Sequence, residues 1–194
     1  ERPTLARERY LALAVDGKVD ASSGADMSTQ VLSGHLPLFV HREPRQVLVV
    51  GLASGVTVGS VARHPVERIE VVEIEPAMVQ AARLFDEVNH RALSDPRVRL
   101  ILDDGRHLLS VTRKRFDVII SEPSNPWMSG PARLFTREFF ALARGRLAPG
   151  GVMAQWLPLY GLEPDHLRTL VRTFLAEFPH VLAFRVSTGD LLLL

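Results

Sequence analysis

From Arg45 to the end of the chain, short apolar runs alternate with segments of helical periodicity, and this alternation limits the fold more than any other feature. The run QVLVVG (46–51) is apolar throughout, as expected for a parallel strand covered on both faces. Further strands are predicted at 68–75, 97–104, 116–122 and 151–157, and helices at 76–89, 134–149 and 164–178. The segments 181–186 and 190–194 are predicted to close the sheet as a hairpin. Such alternation predicts an open α/β sheet that binds ligands at the carboxyl ends of its strands.

The first part of the chain has a different pattern. YLALAVDGKVDAS consists of two short strand-like runs joined at Asp16-Gly17, which predicts a β-hairpin. Residues 26–41 are predicted to form a helix that Pro37 interrupts or bends. We therefore expect a hairpin element at 1–25 and a catalytic α/β domain at 26–194.

Composition excludes several kinds of site. The 194 residues include no cysteine, so disulfides, thiolate metal sites and cysteine nucleophiles are excluded. The seven histidines lack the spacing of a zinc motif, and no metal is expected. The formal net charge of +1 gives no electrostatic reason to expect nucleic acid as a partner. Because no apolar run reaches the length of a membrane span and the first residues do not form a secretion signal, a cytoplasmic location is expected.

Three polar features follow three successive predicted strands. Gly51 and Gly55, in VVGLASGVTVG, would let the backbone approach a ligand closely. Glu73 could accept both hydroxyls of a ribose, and Asp103-Asp104-Gly105 could accept from an exocyclic amine. Each feature has an ordinary alternative: a tight strand-to-helix turn, a solvated acid and a helix cap. Because the ends of parallel strands lie along one edge, the three together favour an adenosine site.

The surroundings of the first turn narrow the choice of adenosine ligand. A phosphate-bearing ligand would favour Lys or Arg beside this turn, and residues 51–60 contain neither. The turn also departs from the GxGxxG pattern of dinucleotide-binding folds. S-adenosylmethionine or a relative therefore fits better than NAD or ATP.

Linked motifs cover most of the chain from about Val15 to Phe140: VDGKVDAS, VLVVGLASGVTVGSVARHP, VVEIEPAMV, DDGR and FDVIISEPSNP with GPARLFTREFF. In this order they resemble the polyamine aminopropyltransferases, the spermidine and spermine synthases. SEPSNPW, LFTREFF and QWLPLYGL are more similar still to spermidine-synthase-like bacterial proteins whose domain is often attached to a membrane-embedded part. The resemblance implies a homodimer with a class I methyltransferase-like Rossmann fold. That fold is an open, mostly parallel seven-stranded sheet with helices on both faces, here preceded by a short N-terminal β-hairpin.

The resemblance also implies roles for residues at matched positions. The donor, decarboxylated S-adenosylmethionine or S-adenosylmethionine, would be bound by Gly51, Ala53, Ser54, Gly55, Glu73, Asp104, Gly105 and Glu122. A small amine acceptor would be bound by Asp20, Gln30, Asn125 and Trp127. The catalytic residues would be Glu122, at the position of the family's catalytic aspartate, and Asn125.

Several departures from the family's pattern bear on the substrate. Ser54 and Asn125 stand where the family has acids, Thr29 replaces a tyrosine, Asp20 replaces a glutamine, and Ala53 replaces a glycine. Because a polyamine carries several ammonium groups, carboxylates are expected along its binding site. The loss of two acids weakens the expectation of spermidine chemistry. It favours intact S-adenosylmethionine, whose carboxylate would be repelled less.

The loop after the fourth strand of the alternating region carries the predicted chemistry. Glu122, at the end of an apolar run, is expected to have a pKa raised by desolvation and to accept a proton from an amine. Asn125 could orient the amine or form an Asx-turn before Pro126. Trp127 could cover the ligand or contact a second subunit. Three functions stay open: aminopropyl transfer, S-adenosylmethionine-dependent methyl transfer, and cofactor sensing by a non-catalytic module attached to a membrane part.

Overall fold

The computed structural model of the protein describes residues 10–15 and 17–194, and these ranges contain a two-stranded hairpin and a seven-stranded sheet with helices. The predicted hairpin turn includes Asp16, which lies outside the described residues, as do residues 1–9. The strands are β1 Ala12–Val15, β2 Lys18–Ser22, β3 Gln46–Val50, β4 Arg68–Glu73, β5 Val98–Leu102, β6 Phe116–Ser121, β7 Leu147–Pro158, β8 Ala183–Arg185 and β9 Asp190–Leu193. The α-helices are α1 Met27–Val40, α2 Val56–Val61, α3 Pro76–Leu84, α4 Gly105–Val111, α5 Arg137–Arg146 and α6 Pro164–Leu175.

The large sheet has the strand order β5-β4-β3-β6-β7-β9-β8. The first five strands in this order are parallel, whereas β9 is antiparallel to both β7 and β8. The predicted closing hairpin is therefore confirmed. The chain builds outwards from β3 to β5 and then returns to place β6 on the other side of β3. This reversal makes the carboxyl ends of β3 and β6 the switch point, where open α/β sheets bind ligands.

The centre of the sheet is covered on both faces. Successive side chains of a strand point to opposite faces, yet Val47, Leu48, Val49 and Val50 of β3 are all buried. The apolar pattern of the sequence predicted this double cover, and the fold confirms the Rossmann-like α/β architecture.

Most predicted elements form, although some helices are shorter than the pattern indicated, and β7 begins at Leu147, inside the segment predicted as helix, rather than at residue 151. α3 ends at Leu84 rather than at residue 89, because the backbone N–H groups of Phe85, Asp86 and Val88 donate to carbonyls three residues earlier and form separate turns. α5 begins at Arg137 because the hydroxyl of Thr136 accepts a hydrogen bond from the backbone N–H of Phe139. A separate 3₁₀ turn, Pro131–Phe135, precedes it. No helix in the described ranges is long and apolar enough to span a membrane.

The direction of β9 matters for the site. Because β9 is antiparallel to β7, its first residue, Asp190, pairs with Pro158 at the end of β7. Asp190 therefore lies at the edge of the sheet where the parallel strands end. Gly51 and Glu122, which follow β3 and β6, lie at that same edge.

Candidate active site

A cavity of about 850 Å³ opens along this edge of the sheet. Five of the strands each place one polar or glycine residue in the cavity wall. In the order of their strands across the sheet, these residues are Asp104, Glu73, Gly51, Glu122 and Asp190. The β1–β2 hairpin and the start of α1 also contribute to the walls. The predicted adenine, ribose and catalytic carboxylates therefore share one cavity.

The turn after β3 is held in a left-handed conformation. Gly51, Ala53 and Gly55 have φ angles of 94°, 45° and 79°. The backbone N–H of Gly55 donates to the carbonyl of Leu52 at 2.8 Å, which closes the turn. Gly51 and Ala53 line the cavity, but Gly55 does not. A Cβ at Gly55 would lie 3.0 Å from the amide nitrogen of Asn89, so this glycine is needed for close packing behind the turn.

Glu73 is a fixed, buried acid rather than a solvated one. Its side chain lines the cavity with the residue only 7% exposed. One carboxylate oxygen accepts from the backbone N–H of Leu52 at 2.8 Å, and the other accepts from that of Glu75 at 2.9 Å. These bonds tie the end of β4 to the glycine turn and leave lone pairs on both oxygens for a ligand's hydroxyls.

Asp104 serves as a helix cap and also lines the cavity. Its Oδ1 accepts from the backbone N–H of His107 at 2.9 Å, at the start of α4. A Cβ on Gly105 would lie 2.6 Å from a methyl carbon of Val50, so only glycine lets α4 approach β3 this closely. Beside them, a hydrogen bond with the His107 ring lowers the pKa of Asp103. The sequence left open whether Asp104 caps a helix or faces a ligand, and its position in the structure is compatible with both.

Glu122 is half-buried at the centre of the cavity wall. Burial raises the pKa of its carboxyl from an ordinary 4.5 to about 7. A hydrogen bond of 2.6 Å from the hydroxyl of Thr57 to Oε2 lowers the pKa and so opposes this rise. The negative charges of Asp190 and Asp26 raise the pKa further. The carboxyl is thus suited to gain and lose a proton near neutral pH.

Gln30 and Ser54 form a buried clamp behind the cavity wall. The Ser54 hydroxyl donates to Oε1 of Gln30, and Nε2 of Gln30 donates to the carbonyl of Ser22 at 2.9 Å. Both side chains are at most 5% exposed, although both residues line the cavity. The amide predicted to border the amine is therefore engaged in joining the glycine turn, α1 and the hairpin.

Asp20 links the hairpin to the loop after β6. Its Oδ1 lies 2.7 Å from the ammonium nitrogen of Lys18 and accepts from the hydroxyl of Ser124 at 2.9 Å. All three residues line the cavity. Asp20 therefore lines the cavity next to the loop after β6, with its charge partly neutralised by Lys18.

Asn125 and Trp127 do not lie on the cavity wall. The loop turns after Ser124, where the N–H of Met128 donates to the carbonyl of Asn125 at 3.1 Å, and the Asn125 side chain is directed inwards. Its Oδ1 accepts from the hydroxyl of Tyr160 at 3.2 Å. The Trp127 ring, 48% exposed, meets the Tyr160 ring edge-on, with centroids 6.1 Å apart. Since Tyr160 does line the cavity, an effect of either residue on an acceptor would act through Tyr160.

Comparisons with known proteins show the family to which the chain belongs. A family model described as the spermine/spermidine synthase domain matches residues 27–179. This chain belongs to the spermine/spermidine synthase family. It is 34% identical over 172 residues to the spermidine synthase of Dictyostelium discoideum, covering 87% of this chain and 60% of that protein. It is 33% identical over 185 residues to polyamine aminopropyltransferase 2 of Hyperthermus butylicus, covering 92% and 61%.

Solved structures show the same fold. A spermidine synthase in complex with the transition-state analogue AdoDATO superposes with a TM-score of 0.85 at 22% identity, covering 94% of this chain and 65% of that chain. The Thermotoga maritima spermidine synthase gives 0.82 at 23% identity, covering 94% and 64%. Human methyltransferase-like protein 13 in complex with SAH gives 0.63 at 21% identity, covering 87% and 78%. The chain spans about 50–60% of the length of the first curated relatives it matches.

Within this spermine/spermidine synthase domain, some residues of the cavity had no clear sequence signal. Thr57, Tyr160 and Asp190 lie in segments that the pattern identified only as helix, loop and strand. An acid at the start of an antiparallel closing strand was the one available hint, because such a strand begins where its parallel neighbours end. No group of three or more metal-ligating side chains occurs among the described residues.

Proposed function

We propose that this member of the spermine/spermidine synthase family transfers an aminopropyl group from decarboxylated S-adenosylmethionine to a small amine. The observation that carries the proposal is the position of Glu122. Its carboxyl, with a pKa raised to about 7, lies between a nucleoside-type wall at β3, β4 and β5 and an acid-rich wall at the hairpin, α1 and β9. Family membership and the names of the relatives support the class of reaction.

The donor side fits an adenosyl group. Glu73 presents a fixed carboxylate for the ribose hydroxyls, and Asp104 keeps one oxygen free of its helix cap for an exocyclic amine. Gly51 and Ala53 form the part of the wall on which the sulfonium would rest. The donor supplies a carbon that its positive sulfur makes electrophilic.

The chain's part in the reaction is to orient the amine and to accept its proton. An alkylammonium, like Lys, has a pKa of about 10.4, so a carboxylate with an ordinary pKa of 4.5 lies about six pH units below it. A Glu122 pKa of about 7 reduces this gap to about three units, which lowers the cost of proton transfer by about 3 kcal/mol. The freed nitrogen lone pair forms the new N–C bond as the C–S bond breaks and leaves its electron pair on sulfur. Glu122 retains the proton.

Methyl transfer from intact S-adenosylmethionine is the second candidate, favoured by Ser54. This residue places a buried hydroxyl, committed to Gln30, where the family carries an acid that attracts the donor's ammonium. A donor with a carboxylate would meet less repulsion there. The other finer predictions, a homodimer, a cytoplasmic location and attachment to a membrane part, remain proposals.

The test is incubation of the protein with each labelled donor and a panel of monoamines, diamines and polyamines, with products identified by mass. An added aminopropyl group supports the proposal, and an added methyl group supports the second candidate. Binding of either donor without any product would support the sensing module instead. The Glu122→Gln variant serves as the inactive control.

A further inference from the structure

One wall of the cavity carries carboxylates that have no cationic partner in the described part of the chain. Asp26, Glu122 and Asp190 all line the cavity, and none takes part in an ion pair among the described residues. The ammonium of Lys18, on the same wall, is paired with Asp20. Arg133 also lines the cavity, but it belongs to the 3₁₀ turn before α5 and forms no ion pair with these acids in the described part of the chain. The wall therefore keeps a local negative charge although the whole chain has a net charge of +1.

Asp190 is the most firmly held of these acids. Its Oδ2 accepts from the hydroxyls of Thr29 at 2.7 Å and Ser187 at 2.5 Å, and its Oδ1 accepts from the indole N–H of Trp156 at 3.0 Å. These donors come from α1, from the turn between β8 and β9, and from β7. Three neutral donors fix the position of the carboxylate without cancelling its charge.

The position of Asp190 relative to Glu122 suits a short ligand with a charge at its far end. β6 and β9 are separated only by β7, so their backbones lie about 10 Å apart. The side chains at the two strand ends face one cavity, which leaves room for an alkyl chain between them. The charge of Asp190 also contributes to the raised pKa values of Glu122 and Tyr160, which places all three groups within electrostatic reach.

The loop after β6 cannot supply this charge. Asn125 stands where the resemblance places an acid of the family, and its amide oxygen accepts from the Tyr160 hydroxyl while the residue itself does not line the cavity. On the side of β6 away from Glu73, the next acid in the sheet order that lines the cavity is Asp190, at the start of β9.

We propose that Asp190, assisted by Asp26, selects an acceptor carrying a second cationic nitrogen, and so supplies from β9 the charge that the loop after β6 lacks. This inference rests on the proposed function only in taking the acceptor to be an amine. Asp190 is a specificity-determining residue in this view, and Glu122 remains the proton acceptor.

The Asp190→Asn variant removes the negative charge of this side chain while allowing its hydrogen bonds to be kept. An asparagine can keep its oxygen on the Trp156 N–H and offer its NH₂ to the hydroxyls of Thr29 and Ser187, which can rotate to accept. The measurement is calorimetric titration of the full chain with 1,4-diaminobutane and with 1-aminobutane, in the presence and absence of 5′-methylthioadenosine. The wild type is expected to bind the diamine at least about tenfold more tightly, and Asp190→Asn to lose about tenfold of that preference. The variant's melting temperature and affinity for 5′-methylthioadenosine should be unchanged.

Matched variants keep the result decisive. Asp165→Asn removes an acid whose side chain is 87% exposed on α6 and should leave the preference intact. Asp26→Asn, which alters a carboxylate bonded only to the Ser22 hydroxyl among the described residues, should cause a smaller loss and is available if Asp190→Asn does not fold. No diamine preference in the wild type, or an unchanged preference in both variants, overturns the inference. Absence of aminopropyl transfer despite selective diamine binding would count against the proposed function alone.

Discussion

The hydroxyl oxygen of Thr57 lies 2.6 Å from Oε2 of Glu122 and 3.0 Å from the backbone carbonyl oxygen of Gln30. A hydroxyl carries one proton, so it can bond to both oxygens only when Glu122 is protonated and donates to Thr57. When Glu122 is ionised, Thr57 donates to it and gives up the carbonyl of Gln30. The geometry therefore accommodates both protonation states, in agreement with a pKa raised to about 7 by burial.

Replacement of Glu122 by Gln should lower kcat by at least about 100-fold, because the proton acceptor is lost. In the wild type, kcat should fall as the pH drops through about 7, since protonated Glu122 cannot act as the base. Steady-state kinetics across pH 5 to 9 measure both effects. Glu67→Gln, at a side chain that is 56% exposed, is the control. Normal turnover by Glu122→Gln with any identified substrate would remove the assigned role.

The Glu122→Gln variant should be more stable than the wild type at high pH. The folded-state pKa of Glu122 is raised above its ordinary 4.5, so the folded protein binds the proton more tightly than the unfolded chain. Stability should therefore decline as the pH rises from about 4.5 to about 7 and then level off. The loss is on the order of 3 kcal/mol at most. Urea unfolding at pH 4.5 and pH 8 should show a gain for Glu122→Gln only at pH 8, and an equal effect at both values would contradict it.

Gln30→Leu should destabilise the fold through the clamp behind the cavity. It leaves the Ser54 hydroxyl and the Ser22 carbonyl without their partner, at a cost of about 1–3 kcal/mol for each buried group. The free energy of unfolding in urea measures the loss. Gln80→Leu, at an exposed position of α3, is the matched control and should be near neutral. A similar small effect for both variants would show that the clamp contributes little.

Asp104→Ser should separate ligand binding from helix capping. Serine caps helices about as well as aspartate, so the N–H of His107 keeps a partner and the melting temperature should hardly change. The carboxylate facing the cavity is lost, and affinity for 5′-methylthioadenosine should fall about tenfold. Asp104→Ala, which removes both functions, should also lose about 1 kcal/mol of stability. Unchanged affinity in both variants would exclude Asp104 from the nucleoside site.

Ala53→Gly should relieve backbone strain in the turn after β3. Ala53 has φ at 45°, a left-handed conformation that costs a residue with a Cβ about 1–2 kcal/mol. Glycine removes this cost but makes the unfolded chain more flexible, so a net gain of up to about 1 kcal/mol is expected. Gly55→Ala should be destabilising, because φ is 79° and the new Cβ would meet Asn89. Thermal unfolding compares the two, and a destabilised Ala53→Gly would show that the turn is not strained.

The sequence alone determined the sheet, the edge where the polar strand ends meet and the position of the acid that follows β6. Continuous apolar runs such as β3 can be buried only between two layers, and alternating helices supply those layers. The sequence also predicted local chemistry. Asp104 caps the helix that it precedes, and Glu122, which follows an apolar strand, has a raised pKa. These features depend on near neighbours along the chain, which the sequence displays directly.

Only the tertiary structure decided which polar groups face the cavity. Asn125 and Trp127 lie in the predicted loop, but after the turn closed by Met128 they contact Tyr160 and do not line the cavity themselves. Asp190 stands 68 positions after Glu122, and it reaches the same edge because β9 runs antiparallel beside β7. Strand order and direction arise from pairing between distant segments. A sequence pattern records the period of each segment, but beyond a hairpin between consecutive segments it does not show which strands are neighbours in the sheet.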